Sequence, residues 1–119
     1  MHYQMGDIVF VSEVARPEIN QNARNHLFVI IDNDGNVVPM DYYGFVISSH
    51  LEKSKENSQY KYNERINKDS TNNLMTDSIV KCDQLMQFSE ENITMKIGTV
   101  LQEDLTRFLN AFNNYLTEN

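Results

Sequence analysis

At 119 residues the chain is sized for a single domain spanning 1–119, with one core of its own. Its 40% hydrophobic and 23% charged content is that of a globular protein, and its longest apolar run, Leu27–Ile31, is too short for a bilayer span, so no membrane partner is expected. A net charge of −7, three scattered histidines, four glycines and one cysteine argue against broad nucleic-acid affinity, a metal centre, a glycine-rich phosphate loop and a disulfide framework.

The first predicted strand is Gly6–Val14, rich in Val and Ile and opened by a Gly-Asp turn pair. Ala15–Asn25 follows as a polar loop containing Pro17 and four Asn/Gln residues. Leu27–Ile31 is the clearest strand, and it ends in Asp32-Asn33-Asp34-Gly35-Asn36, a hairpin turn signal. The acidic spacing there brushes a calcium loop, but Val37 and Tyr43 stand where Gly and Glu are needed, so no calcium is expected.

A short strand at Val37-Val38 is stopped by Pro39, and Phe45–Ser49 forms the next full strand. His50–Ser58 reads as one or two helical turns capped by Ser48 or Ser49. Gln59–Ile66 alternates, with Tyr60, Tyr62, Glu64 and Ile66 on one face and a basic outer face of Lys61, Asn63 and Arg65. Asn67–Asn73 is a polar turn, and a long strand runs through Ile79 and Val80 to Phe88. Ser89–Asn92 reads as a capped helical turn and Met95–Val100 as a last strand. From about Gln102 the period becomes helical, with Leu105, Phe108, Leu109, Phe112 and Leu116 in one stripe and Glu103 and Asp104 in the first turn.

The order β–loop–β–β–(turn)–β–β–β–α, together with Asp77-Ser78-Ile79-Val80-Lys81-Cys82-Asp83-Gln84-Leu85, resembles the MazF/PemK/Kid toxins. The likeness runs from Gly6 to about Leu116 and includes the Ile97–Leu101 step. It implies a mainly β (α+β) fold, a small SH3-like antiparallel barrel with a C-terminal amphipathic helix. It also implies a metal-independent endoribonuclease of a toxin-antitoxin module, cytoplasmic and homodimeric, with single-stranded RNA and a cognate antitoxin as partners and no cofactor.

Such cleavage lets the ribose 2′-OH attack the neighbouring phosphate, so the protein must move two protons and stabilise phosphate charge. The resemblance assigns catalytic roles to Arg24, on the scissile phosphate, to Ser48, which orients it, and to Asp83, as base or base-edge reader. RNA contacts fall to Lys81, Gln84, His26 and Asn20. Read from the residues alone, Cys82 is a buried strand thiol, with a Cys82–His26 pair as the reactive alternative.

Several positions depart from the family pattern: Lys81 replaces Arg, Met86 stands where Arg is common, and the loop lacks its glycines and proline. Six of the ten basic residues lie in 52–81, the one segment suited to a phosphate-binding surface. The alternative reading is a non-catalytic barrel, either a degenerate relative or a CcdB-like binding module. A CcdB-like target is disfavoured because the chain has no Trp and ends Thr117-Glu118-Asn119.

Overall fold

The structure, a computed structural model, describes residues 2–12, 26–36, 40–56 and 58–118. Six strands form where apolar, β-branched and aromatic residues concentrate: β1 Asp7–Val11, β2 His26–Asn33, β3 Asp41–Ser48, β4 Asn63–Ile66, β5 Ser78–Ser89 and β6 Ile93–Thr99. One helix, α1, covers Gln102–Glu118, and 3-10 turns occupy Leu51–Lys53, Ser58–Tyr60 and Glu90–Asn92. The strands make a single antiparallel sheet in the order β4-β5-β3-β2-β1-β6. The expected mainly β fold with a C-terminal helix is therefore present.

Although β4 and β6 stand at opposite ends of that order, the 67–73 turn that follows β4 lies against β6. Thr99 N–H donates to Thr71 O at 3.0 Å, and Asn73 Nδ2 donates to Ile97 O at 3.0 Å. Asn72, fully buried, holds the turn in shape: its Oδ1 accepts from Asp69 and Leu74, and its Nδ2 donates to Asn67 O. The approach is so close that a Cβ on Gly98 would sit 2.5 Å from Asn72 O.

The sheet is apolar on both faces. One face packs Ile8, Val29, Phe45, Val80 and Cys82 against Leu105, Phe108 and Ala111 of α1. The other gathers Val9, Val11, Phe28, Tyr42, Val46 and Phe88. Fully buried aromatics such as Phe108 and Phe28 each contribute about 2 kcal/mol of transfer free energy.

Several details differ from the sequence expectation: β2 runs on through Asp32 and Asn33 of the expected turn, and β3 starts at Asp41, four residues ahead of the expected Phe45. The strand expected over Gln59–Ile66 is a strand only at 63–66, and Ser58–Tyr60 is a 3-10 turn. The reason lies in β5: its ladder with β4 stops at Asn63↔Lys81, where β5 becomes irregular and offers no further partner. The turn at Leu51–Lys53 has His50 as N-cap and no side-chain cap; Ser48 Oγ instead accepts from His50 N–H at 3.2 Å. Leu116, the last residue of the expected stripe, is 55% exposed, while Ala111 is buried. Finally, β6 starts at Ile93, two residues ahead of the expected strand. The expected cap at Ser89 is present, its side chain accepting from Glu91 N–H. Val37–Pro39 lies outside the described residues.

Candidate active site

Register decides which candidate residues meet. Val11 pairs with His26, and Ser48 pairs with Ile79, which pairs with Arg65. Leu27 pairs with Ile47, so one step outward His26 lies level with Ser48 on the neighbouring strand. A single cross-strand row therefore runs Val11–His26–Ser48–Ile79–Arg65. Directly opposed side chains share a face, with Cβ atoms about 5 Å apart. Both His26 and Ser48 are half-buried, and the His26 ring meets Phe28 edge-on with centroids 6.4 Å apart.

Lys81 follows Ile79 by two residues on the same strand. Its neighbours Val80 and Cys82 both point into the helix-side core, which sends Lys81 to the face that carries Ser48. One strand across and two residues along puts the two backbones roughly 8 Å apart.

The stretch Lys81-Cys82-Asp83-Gln84 is where β5 leaves its ladder. Between the pairs Ile47↔Val80 and Phe45↔Leu85, a single residue of β3 faces four of β5. Such bulges bend a strand and re-aim side chains, and they gather beside active sites. Within this one, Cys82 is buried, Lys81 and Asp83 are half-buried, and Gln84 is exposed. Asp83 Oδ1 is a buried acceptor that finds no hydrogen-bond partner among the described residues.

The structure thus brings His26, Ser48 and Lys81 onto one face, and the bulge sets Asp83 and Gln84 further along it. Arg24 and Asn20 lie outside the described residues. Cys82 belongs to the opposite face, is fully buried and donates from Sγ to Val80 O at 3.5 Å, so it forms no dyad with His26. Burial pushes its thiol pKa up, and the nearby Glu64 carboxylate adds to that rise.

Much of the basic segment 52–81 is already committed to acids. Lys55 pairs with Glu64 at 3.2 Å, Lys61 with Glu118 at 3.2 Å and Arg65 with Asp77 at 3.0 Å. The local phosphate-binding surface to which this segment is suited is in this way partly neutralised. Among the described residues no group of three or more His, Cys, Asp or Glu could hold a metal, and no helix is long and apolar enough to cross a membrane.

Sequence reasoning missed a cleft of about 350 Å³ beside His26. Its polar lining among the described residues is His26, Ser49, Asn73, Thr76 and Ser78. Strand alternation carries the signal that could have found it. Ser49 has the parity of Ile47 and so turns toward the cleft, while Ser48 turns toward the row.

A family profile described as PemK-like, MazF-like toxin of type II toxin-antitoxin system matches residues 4–116. Among solved structures, the chain is similar to an endoribonuclease in complex with its cognate antitoxin from Mycobacterial species, with a TM-score of 0.70. That likeness covers 99% of this chain and 98% of that one at 10% identity, and it is a likeness of fold. No curated protein matches the sequence.

Proposed function

We propose, from the premise that the chain belongs to the PemK-like, MazF-like toxins of type II toxin-antitoxin systems, that it is a metal-independent endoribonuclease acting on single-stranded RNA. The observation that carries the reading is the cross-strand adjacency of His26 and Ser48, with Lys81 on the same face. Cleavage of this kind needs a proton shuttle, a directed hydrogen bond to phosphate, and cationic support.

His26 supplies an imidazole, the side chain whose ordinary pKa lies nearest neutrality, to take the 2′-OH proton or to protonate the leaving 5′ oxygen. Ser48 orients the scissile phosphate through its hydroxyl. Arg24, two residues before His26 in the chain, grips the phosphate oxygens, and Lys81 adds charge from the next strand. Asp83, with its unpartnered acceptor oxygen, reads a donor on a base edge, while Gln84 and Asn20 complete the contacts. The family likeness further supports an SH3-like barrel acting as a cytoplasmic homodimer restrained by a cognate antitoxin.

The test is incubation of folded protein with mixed single-stranded RNA in chelator, beside Arg24→Ala and His26→Ala. Cleavage by the wild type alone, leaving 2′,3′-cyclic phosphate ends, is the expected result. The ion pairs along 52–81 and the net charge of −7 favour one second reading, a degenerate barrel that acts as a protein-binding module and does not cut RNA. RNA neither bound nor cut by the folded wild type would select it.

A further inference from the structure

We propose that the cleft beside His26 is the seat of one unpaired nucleobase of the RNA, and that Ser49, Asn73 and Thr76 are the residues that read it. This deepens the ribonuclease reading and rests on it. The cleft lies at the end of the sheet where β2 begins, on the helix-side face, and it shares His26 with the row on the other face.

Its chemistry sorts the candidate ligands. Among the described residues its lining is hydroxyl, amide and imidazole groups beside apolar side chains, a mixed surface that suits a ligand with both polar and apolar parts. A purely aliphatic group would leave the hydroxyl and amide rim unsatisfied. A flat heterocycle with polar edges fits both parts, its faces against Phe10, Leu74 and Ile97 and its edge toward the rim.

The rim is also organised in advance. Asn73 is held in left-handed backbone at φ 56 and anchors its amide by donating from Nδ2 to Ile97 O at 3.0 Å. Ser78 Oγ donates to Thr76 O at 3.0 Å. Anchored in this way, the Asn73 amide and the Ser78 hydroxyl retain acceptor lone pairs suited to the N–H groups of a base edge. Met75, 91% exposed on the cleft wall, offers a flexible thioether to cover the base.

The experiment uses a short oligonucleotide made uncleavable by 2′-O-methylation, against an abasic oligonucleotide of the same length and charge. Binding is followed by amide resonances of the full chain. The base-bearing oligonucleotide is expected to shift Ser49 and residues 73–78, and the abasic one is not. Thr76→Val and Ser49→Ala, both at exposed positions, are expected to weaken binding about fivefold each, the worth of a neutral hydrogen bond, with the fold intact.

Equal shifts from the abasic strand would make the cleft a backbone site and overturn the proposal. So would Arg24-dependent cleavage with no response at 49 and 73–78, in which case the ribonuclease reading stands alone. Base-dependent shifts in a protein that never cleaves would leave the base seat standing and remove the ribonuclease reading.

Discussion

At the scale of single residues, the row across β2, β3 and β5 separates chemistry from structure. Ser48 accepts a peripheral bond from His50 N–H, so Ser48→Ala is expected to leave the melting temperature nearly unchanged. If its hydroxyl orients the phosphate, the same change lowers kcat on RNA about 100-fold, as when one directed donor is lost at a charged transition state. Single-turnover kinetics beside a thermal melt separate the two effects. Cys82 gives the opposite case. With its thiol buried and its pKa raised, it is expected to resist a thiol reagent at pH 8 in native protein and to react fully in denaturant. Cys82→Ala should cost about 1 kcal/mol by chemical denaturation and leave cleavage intact.

At the scale of elements, α1 is held to β4 by a charged hub rather than by apolar contact alone. Glu64, its side chain only 10% exposed, accepts from Arg107 Nη1 at 2.9 Å and pairs with Lys55. Arg107 Nη2 also donates to Asp104 and to Arg65 O. Arg107→Ala is expected to cost about 2 kcal/mol, because it leaves a largely buried carboxylate with one exposed partner. Restoring balance with a second change, Glu64→Gln, should recover part of that loss in a double-mutant cycle.

These elements also show what the sequence made legible. The strands at 7–11, 27–31 and 45–48 and the helix from Gln102 were readable because β-branched runs and a 3.6-residue stripe are local signals, whereas Asp41–Gly44, the first half of β3, carries no such run. The end of β4 was not, because alternation at Tyr60 and Tyr62 continues past the point where β5 can pair. The bulge that stops it is a property of two strands at once. The site divides along the same line. Ser48 and Lys81 were legible by type and order, whereas the meeting of Ser48 with His26, and the cleft lined by Ser49, depend on register.

At the scale of the whole molecule, charge governs response to pH and salt. The carboxyls of Asp77, Glu56 and Glu118 lie below their ordinary values, held there first by the Lys68 backbone N–H, the Ser54 hydroxyl and the Tyr62 hydroxyl respectively. A carboxylate lowered in the folded state stabilises above its ordinary pKa, and that contribution is lost as pH falls through the lowered value. The melting temperature is therefore expected to hold from pH 8 to 5 and to fall below about pH 4, by a modest amount because these groups are exposed. With two cations assigned to phosphate, RNA affinity should fall with salt at a log–log slope of about −1.5, well short of a basic binder.

The pairing of β1 carries a consequence for the order of events during synthesis. Asp7 meets Thr99 across 92 residues, and β1 lies between β2 and β6. The strand that flanks His26 on one side cannot be fully paired until β6 has been made, and long-range closure of this kind is the slow step of folding. A nascent chain halted anywhere before β6 carries His26 and Ser48 without the sheet that holds them in register. On the ribonuclease proposal, the site stays unassembled until β6 has been made, so competence waits on the strand that closes β1.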